Sequence, residues 1–244
     1  MTRPKISVVI PTLNEEKLIS KTLSQFDDDT KAKYEVEVIL SDGGSTDNTL
    51  KIAEGRSDKM TIHKSGKKQN IAQGRNEGAK LAEGDVLVFL NADTYLQDKT
   101  KFFETIKKFS EANHYSALAF PVKIDESQQT GKDKVFHSFY NTYVKILNFI
   151  GIGMGRGECH IIKKEKYLEV NGYNGNLAAG EDFDLYRRLR KKGKIKFVKD
   201  VVIYESPRRY RKFGYFNVFM DWAKNSISIL LFNKSISKDW EPVR

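Results

Sequence analysis

The chain has 244 residues, with 42 Lys plus Arg against 32 Asp plus Glu, so its formal net charge is +10 and its pI is near 9.4. With 39% hydrophobic and 11% aromatic residues and only five prolines, it can bury a sizeable core, which excludes a disordered tail or a fibrous repeat. Its single cysteine, Cys159, excludes an internal disulfide framework and predicts a reducing, cytoplasmic setting. Residues 1–5 lead straight into a strand without the apolar stretch of a secretory signal, and no window reaches the roughly 18 to 20 apolar residues of a membrane span.

The first half of the chain alternates β-branched segments with segments of helical periodicity. The predicted strands are 6–10, 36–40, 60–63 and 86–90, and the predicted helices between them are 15–26, 49–56 and 71–82. We expect Pro11 to close the first strand, because proline cannot donate to a ladder. Such an alternation predicts an α/β fold with a mostly parallel sheet, whose ligands lie beyond the carboxyl ends of the strands. Function is therefore expected in the loops that follow Ile10, Leu40 and Leu90.

The second half of the chain is less regular. The predicted helices are 102–109, 135–150, 182–192 and 215–232, and the predicted strands are 117–124, 161–162 and 195–202. No internal repeat, low-complexity linker or composition shift marks a boundary, so the sequence predicts one domain over residues 1–244.

Two polar loops follow the first two strands. One reads Pro-Thr-Leu-Asn-Glu-Glu from Pro11, and the other reads Asp-Gly-Gly-Ser-Thr-Asp-Asn-Thr from Asp42. Asp42 could accept hydrogen bonds from a base or ribose, while Gly43 and Gly44 would let a ligand approach the backbone. The alternative is that residues 45–48 only form a turn and cap the next helix.

A lone carboxylate follows the predicted strand 86–90, in the tetrapeptide Asn-Ala-Asp-Thr that contains Asp93. A diphosphate needs its charge neutralised, and a hard divalent ion held by one or two carboxylates and the phosphate oxygens does this. Asp93 is the candidate ligand for that ion. The alternative is that Asp93 caps a helix that begins at Tyr95.

Two adjacent carboxylates, Glu181 and Asp182, open the predicted helix 182–192. The helix dipole favours negative charge at this position, so both residues could serve only as caps. A carboxylate at the start of a helix can also be a general base when its surroundings are partly dry. Both interpretations remain open on the residues alone.

The motifs Pro-Thr-Leu-Asn-Glu-Glu, Asp-Gly-Gly-Ser-Thr-Asp-Asn-Thr, Asn-Ala-Asp and Glu-Asp-x-x-Leu-x-x-Arg-Leu-x-x-x-Gly occur in that order and spacing. Together they closely resemble the family 2 glycosyltransferases with a GT-A fold, over roughly residues 5–211. Residues 155–165 resemble the glycine-rich acceptor-side strand of that family, and residues 73–79 resemble its Arg-Asn-x-Gly-Ala segment. The resemblance implies a Rossmann-like, mostly parallel central sheet flanked by helices, with a donor-binding half (1–94) and an acceptor and catalytic half (95–212).

The resemblance also assigns roles to individual residues. Asp42 would contact the base, Asp93 would hold Mg²⁺ or Mn²⁺ on the diphosphate, and Asp182 would be the catalytic base with Glu181 beside it. Asn91 replaces the first carboxylate of the commoner Asp-x-Asp form, which leaves the metal one certain carboxylate. The residues expected at the nucleotide-sugar are Pro11, Thr12, Glu15, Asp42, Gly43, Arg75, Asn91, Arg188, Arg208 and Arg209. Arg75 would reach the phosphates or orient an active-site carboxylate, with a surface position as the alternative.

The reaction expected from this resemblance is inverting transfer of a sugar from a nucleotide-diphospho-sugar to an acceptor hydroxyl or a lipid phosphate. One alternative is a nucleotidyltransferase, which would carry a glycine-rich Arg- and Lys-containing signature after strand one, where this chain has Pro-Thr-Leu-Asn-Glu-Glu. Another is a protein that binds nucleotide-sugar without catalysis. We expect no nucleic-acid partner, because no recognised motif supports one and the carboxylate-rich loops would repel a phosphate backbone. The donor base, the sugar, the acceptor and the oligomeric state stay open.

A basic segment and an amphipathic helix close the sequence. Residues 183–212 contain 12 Lys or Arg and 3 Asp or Glu, so most of the excess positive charge lies there. The helix 215–232, which opens the tail 213–244, has one apolar face, formed by Phe216, Phe219, Met220, Ala223, Ile227, Leu230 and Leu231. This face either closes the core against the sheet or lies in a bilayer interface on the inner side of a membrane. The second interpretation would suit a lipid-linked acceptor.

Overall fold

The computed structural model describes residues 5–64, 66, 68–237 and 243. The predicted start of the chain at residues 1–4, and residues 238–242 and 244 of the tail, lie outside the described residues. The strands are β1 (Ile6–Thr12), β2 (Val36–Asp42), β3 (Lys59–Ile62), β4 (Val86–Leu90), β5 (Tyr95–Leu96), β6 (Tyr115–Ala119), β7 (Val122–Ile124), β8 (Cys159–Lys163), β9 (Lys194–Phe197) and β10 (Ile203–Glu205). The helices are α1 (Ile19–Leu23), α2 (Asp28–Tyr34), α3 (Thr49–Ala53), α4 (Ile71–Lys80), α5 (Lys99–Glu111), α6 (Gly131–Phe149), α7 (Lys164–Glu169), α8 (Glu181–Arg190), α9 (Arg208–Phe213) and α10 (Tyr215–Phe232).

A seven-stranded sheet in the order β3-β2-β1-β4-β8-β6-β9 carries the fold. Strands β3, β2, β1 and β4 are parallel to one another, β9 is parallel to β6, and β8 runs antiparallel between β4 and β6. A small second sheet has the order β5-β10-β7. The predicted α/β fold with a mostly parallel central sheet is confirmed.

Alternate residues of the central strands enter two different cores, one on each face of the sheet. In β1, Val8 and Ile10 pack with α1 and α5, whereas Val9 packs with α4, α6 and α8. Successive side chains of a strand point to opposite faces, so a strand covered on both sides must be apolar throughout. This is why residues 86–90 read as one continuous apolar run.

The segment Arg-Asn-x-Gly-Ala on α4 brings that helix close to the sheet. A Cβ atom on Gly78 would lie 2.4 Å from Cγ1 of Val9, so only glycine lets α4 approach β1 this closely. Asn76, near the middle of the helix, accepts hydrogen bonds from the Tyr173 N–H and the Tyr167 hydroxyl. These contacts hold α4 so that the preceding residue, Arg75, faces the carboxyl edge of β4.

The predicted end of strand one at Pro11 is wrong, because β1 continues to Thr12 beside β2. The pairing of β1 with β4 stops at Val9, opposite Phe89. Beyond that point the edge of β1 that faces β4 has no partner, so Pro11 can lie in the strand although it has no N–H to donate. The predicted strand 117–124 is two strands, since β6 ends before Pro121 and β7 joins the small sheet. The predicted strand 195–202 likewise ends at Phe197, and β10 follows separately.

The predicted helix 15–26 is much shorter, because side chains of the second loop hold its first residues. The Thr49 hydroxyl accepts the Glu15 N–H at 2.7 Å, and the Asp47 carboxylate accepts the Glu16 N–H at 3.1 Å. An unpredicted helix, α2, follows, with the Asp27 carboxylate accepting the Thr30 N–H as its N-cap. Asp93 caps no helix at Tyr95, because Tyr95 lies in strand β5.

Helix α10 has the predicted bounds, but the predicted apolar face is not the face that closes the core. The buried residues of α10 are Val218, Asn225, Ser228 and Ile229. Of the predicted face, Phe219 packs against α6, while the other large aliphatic and aromatic side chains are exposed. In the part of the chain that the structure describes, no helix is both long and apolar enough to cross a membrane.

Candidate active site

A cleft of about 420 Å³ opens beyond the carboxyl ends of β1, β2 and β4. The sequence-assigned residues that line it are Pro11, Thr12, Glu15, Gly43, Arg75, Asn91, Asp93, Glu181, Asp182, Arg208 and Arg209. The residues of the loops after β1, β2 and β4 converge because the strand ends of a parallel sheet meet at one edge. The other residues lie on α4, α8 and α9, so both halves of the chain contribute to the cleft.

Asp42 lies at the end of β2, but both of its carboxylate oxygens bind its own neighbourhood and it does not line the cleft. Oδ1 accepts hydrogen bonds from the Thr12 and Ser45 hydroxyls, and Oδ2 accepts the Gly44 and Ser45 N–H groups. It thereby shapes the loop that carries Gly43. The structure places Ser41 and Gly43, rather than Asp42, on the wall of the cleft.

The structure does not bring Arg188 to the cleft, contrary to its sequence assignment. Its guanidinium bonds Oδ2 of Asp184 at 2.6 and 2.9 Å and donates to the carbonyls of Val170 and Gly172. Spacing along α8 explains the error, because Arg188 and Asp184 are one helical turn apart on a face away from the cleft. Arg188 holds the turn after α7.

Arg75 is 1% exposed and joins the two halves of the chain at the floor of the cleft. Its Nη1 lies 2.8 Å from Oε1 of Glu181, and its Nη2 donates to Oδ1 of Asn91 at 2.9 Å and to the Gly157 carbonyl at 2.6 Å. This burial excludes the alternative that Arg75 lies on the surface. The side-chain oxygen of Asn91 faces Arg75, so it orients the guanidinium.

Asp182 follows Glu181 at the start of α8 and shares the same neighbourhood. Gly180, with φ +77°, turns the chain into this helix, and the Asp182 carboxylate accepts the Phe183 N–H. Burial, together with the negative charge of Glu181, raises the pKa of Asp182 to about 7. The physical reason is that Arg75 pairs directly with Glu181, so a charge on Asp182 is only partly compensated.

Arg208 joins Glu15 and Asp93 across the mouth of the cleft. Its Nη2 lies 2.8 Å from Oε2 of Glu15 and 3.1 Å from Oδ2 of Asp93, so the two carboxylates converge on one nitrogen. Two carboxylates supplemented by phosphate oxygens form a donor set that suits Mg²⁺ or Mn²⁺. Within the described residues no three His, Cys, Asp or Glu side chains group as a metal site, so the diphosphate would have to complete the shell.

A third arginine cluster, which sequence reasoning missed, lines the far wall of the cleft. Arg156 is 2% exposed, and its Nη2 lies 3.2 Å from Oε1 of Glu158, 2.7 Å from Oε1 of Glu205 and 3.2 Å from the Tyr210 hydroxyl. Its guanidinium also lies over the ring of Tyr140, with 4.8 Å from Cζ to the centroid. All of these residues except Tyr210 are on the cleft wall.

The carboxyl groups of Glu205 and Glu158 are buried side by side, and their pKa values shift in opposite directions. Burial and the neighbouring Glu158 raise the pKa of Glu205 well above its ordinary value. Burial opposes ionisation of Glu158 as well, but the charge of Arg156 and a hydrogen bond from Glu205 keep the pKa of Glu158 lowered. A single guanidinium, that of Arg156, therefore faces both carboxyl groups.

The signal for this cluster was present in the sequence. Arg156 and Glu158 are charged residues between glycines and a buried strand, and Glu205 ends strand β10 directly before Ser-Pro-Arg-Arg. Charged side chains at the end of a buried strand favour a functional position. The sequence could not indicate that Glu205, 49 residues further along the chain, bonds to Arg156.

The sheet order and the cleft beyond its carboxyl edge define the GT-A class of α/β folds, and the comparison with known families agrees. The model described as Glycosyl transferase family 2 matches residues 7–170, which is more than half of the chain. The chain belongs to glycosyl transferase family 2.

Two relatives illustrate the range of that similarity. The chain is 32% identical over 122 residues to the poly(ribitol-phosphate) beta-N-acetylglucosaminyltransferase TarS of Staphylococcus aureus, covering 49% of this chain and 21% of TarS. It is 27% identical over 251 residues to the dolichyl N-acetyl-alpha-D-glucosaminyl phosphate 3-beta-D-2,3-diacetamido-2,3-dideoxy-beta-D-glucuronosyltransferase of Methanococcus voltae, covering 87% of this chain and 76% of that protein. The chain thus spans only a small part of the length of TarS.

Solved structures confirm the GT-A fold. One is the mannosyltransferase PcManGT of Pyrobaculum calidifontis in complex with GDP-Man and Mn²⁺, which superposes with a TM-score of 0.70 at 20% identity. The match covers 93% of this chain and 63% of the PcManGT chain. The glucosyl-3-phosphoglycerate synthase of Mycobacterium tuberculosis, in complex with Mn²⁺, UDP and glucosyl-3-phosphoglycerate, superposes with a TM-score of 0.62 at 17% identity. The match covers 93% of this chain and 79% of the synthase chain.

Proposed function

We propose that the protein is an inverting glycosyltransferase that moves a sugar from a nucleotide-diphospho-sugar to an acceptor hydroxyl. The observation that carries the proposal is the cleft itself, where a carboxyl group with a pKa of about 7 stands opposite a group suited to a diphosphate. Family membership supports sugar transfer over nucleotidyl transfer. Residues 1–94 would serve the donor, and residues 95–212 the acceptor and the chemistry.

Asp182 would act as the general base. It takes the proton of the acceptor hydroxyl while that oxygen attacks the anomeric carbon and the bond from that carbon to the diphosphate breaks. A pKa near the working pH suits this step, because the carboxylate must be free to accept a proton and basic enough to hold it. We assign no nucleophile for the opposite sugar face among the described residues of the cleft, and a single base suffices for an inverting route.

The leaving diphosphate would meet Arg208 and Arg209, with Asp93 and Glu15 holding a divalent ion. The two carboxylates that converge on Arg208 fit this role, and PcManGT and the mycobacterial synthase are described as Mn²⁺ complexes. The ion, when bound, neutralises the negative charge that develops on the diphosphate. Pro11, Thr12 and Gly43 would contact the nucleoside from the strand-end loops.

The cluster of Arg156, Glu158 and Glu205 would bind the hydroxyl groups of the acceptor. These side chains offer both donors and acceptors on the wall of the cleft that also carries Asp182. A lipid-linked acceptor is supported by the Methanococcus voltae relative, whose name gives a dolichyl sugar phosphate.

The test is to incubate the protein and Mn²⁺ with a panel of nucleotide-sugars, with and without acceptor candidates, and to measure release of nucleoside diphosphate. We expect one donor to stand out by at least about tenfold over the others, with the acceptor accelerating release. Binding of a donor without release under any condition would instead favour a nucleotide-sugar-binding protein.

We expect transfer to depend on a divalent metal ion that Asp93 helps to bind. We expect EDTA to stop transfer and Mn²⁺ or Mg²⁺ to restore it, and Asp93→Ala to weaken nucleoside diphosphate binding about tenfold in Mn²⁺. In EDTA the same substitution should leave affinity equal or higher, because it removes a negative charge that repels the diphosphate. Calorimetric titration in both conditions measures this change, and Asp28→Ala, an exposed aspartate on α2, is the matched control.

Full activity in EDTA would contradict the metal assignment. Neutralisation of the diphosphate would then fall to Arg75, Arg208 and Arg209, all of which line the cleft.

Transfer should depend on pH as the ionisation of Asp182 requires. The initial rate at saturating donor should rise as pH increases through about 7 and then level off, because only the deprotonated carboxylate accepts the proton. Nucleoside diphosphate affinity, measured over the same range, should change by no more than a few-fold. A flat rate profile between pH 5.5 and 8.5 would be incompatible with Asp182 as the base.

A further inference from the structure

The exposed apolar side chains of this protein are concentrated on two neighbouring helices. Among the described residues, every large exposed hydrophobic side chain lies on α6, on α10 or just after them, except Ile62 and Leu168. The members of this two-helix surface are Val135, Phe139, Ile146, Phe149, Ile150, Phe216, Ile227, Leu230, Leu231, Phe232 and Ile236. Contiguous exposed apolar area of this kind marks an interaction site.

The two helices present their apolar residues side by side. On α6, residues 135, 139, 146 and 149 form one row at helical spacing, and on α10 residues 216, 227, 230 and 231 form another. The rings of Phe139 and Phe219 pack edge to face across the seam, with centroids 5.4 Å apart. Both helices also bury an opposite face, which is mixed polar and apolar, so the exposed face is not the one that packs on the core.

Lysine side chains border this surface on its outer edges, two along α6 and one, with Asp221 on the same side, along α10. Helical spacing places Lys134 and Lys145 along the side of α6 that faces away from α10, and Lys224 along the far side of α10. Within the described residues of these two helices, the exposed acidic group is Asp221, while Asp133 is buried against Arg211. Long lysine side chains beside an apolar strip can extend their ammonium groups toward lipid phosphates.

We propose that this two-helix surface docks the protein on an anionic lipid bilayer, with α6 and α10 lying in the interface. The charge pattern argues against a second copy of the chain, because a two-fold contact would bring the same lysine-lined edges together. A lipid surface supplies both an apolar interior and anionic headgroups.

The inner faces of the same helices form part of the cleft. Tyr140 of α6 and Trp222 and Ser226 of α10 line it, and Ile229 of α10 packs on Gly180 at the start of α8. Docking would therefore place this wall of the cleft next to the bilayer. That arrangement suits a lipid-linked acceptor if the proposed function holds, although docking itself does not depend on transfer.

The test is co-sedimentation with vesicles of phosphatidylcholine alone and of phosphatidylcholine with phosphatidylglycerol. We expect the protein to pellet with the anionic vesicles, to do so far less with the neutral ones, and to be released by 1 M salt. Phe149→Glu and Leu231→Glu should each lower the partition coefficient about tenfold or more, since each removes an exposed apolar side chain and adds negative charge. Leu168→Glu, at a side chain that is 61% exposed on α7, should bind as the unmodified protein does.

Three results would overturn the proposal: no pelleting with either vesicle, equal pelleting with both, or equal loss in Leu168→Glu. Light scattering of the same variants in solution adds a fourth, because a dimer that Phe149→Glu and Leu231→Glu both dissociate would assign the surface to a second copy. Release of nucleoside diphosphate without vesicles should be unchanged in these variants, which separates failed docking from a failed transfer proposal.

Discussion

Replacing Asp182 by asparagine should lower transfer by about 100- to 10,000-fold while nucleoside diphosphate affinity changes by no more than a few-fold. The amide keeps the shape of the side chain and cannot accept the proton of the acceptor hydroxyl. Single-turnover rates with saturating donor, together with titration of the nucleoside diphosphate, measure the two effects separately. Unmodified turnover in this variant would remove Asp182 from the mechanism.

The same substitution should raise the melting temperature at pH 8. In the folded protein the pKa of Asp182 is raised from 3.8 to about 7, so the folded state binds this proton more tightly than the unfolded chain. The proton on Asp182 therefore stabilises the folded state; this contribution to the free energy of unfolding is fully present below pH 4 and is lost as pH rises through 7. Asparagine does not titrate, so the gain should be present at pH 8 and absent near pH 4.

Asp184→Asn is the matched control on the same helix. Asp184 bonds Arg188 away from the cleft, so this variant should lower the melting temperature and keep the turnover number. Opposite outcomes at two aspartates two residues apart would separate a catalytic from a structural carboxylate. Equal loss of turnover in both would point to a general disturbance of α8.

Replacing Arg75 by methionine should cost about 3–5 kcal/mol and lower the melting temperature by about 6–20 °C. The substitution leaves the carboxylate of Glu181 buried without its partner and removes the donors to Asn91 and the Gly157 carbonyl. Thermal unfolding measures the loss. Arg56→Met is the matched control, because Arg56 bonds only an exposed serine hydroxyl in the described structure, and it should stay within about 0.5 kcal/mol.

The effect of Arg75 on the pH profile distinguishes positioning from mere stability. Arg75 lowers the pKa of Asp182 and Glu181 raises it, so their removal should move the rate profile in opposite directions. Arg75→Met should shift the midpoint to higher pH, and Glu181→Gln should shift it to lower pH. Profiles that coincide with that of the unmodified protein would show that neither residue acts on Asp182. Glu181→Gln also provides a test if the Arg75 variant does not fold.

Local patterns predicted the architecture well. Strand β4 and helix α10 have the bounds that periodicity indicates, and the loops after β1, β2 and β4 do carry the cleft. Errors arose where a contact from elsewhere in the chain overrides local preference. Thr49 and Asp47, for example, hold residues 15 and 16 out of a helix. The division of the predicted strand 117–124 has a local cause, because Pro121 lies between β6 and β7.

Among the site residues, sequence reasoning could locate carboxylates but not decide what they bind. Asp42 and Arg188 occupy motif positions, yet the first is held by its own loop and the second by Asp184. Arg156 lies in the segment 155–165 that resembles the acceptor-side strand, but the sequence assigned no role to it or to Glu205, and both stand on the cleft wall. A motif specifies a position in the chain, whereas exposure to the cleft depends on which way the folded backbone turns each side chain.

The sequence by itself determined the α/β order, the two-faced burial of the central strands and the location of the cleft, because these depend on periodicities within 5 to 20 residues. Only the tertiary structure decided which charges meet. Arg75 reaches Glu181 across 106 residues, and Arg208 reaches Glu15 across 193. Such pairings follow from chain crossings and burial. The pKa of Asp182 is set in the same way, by its burial and by the charges of Glu181 and Arg75 that folding brings to it.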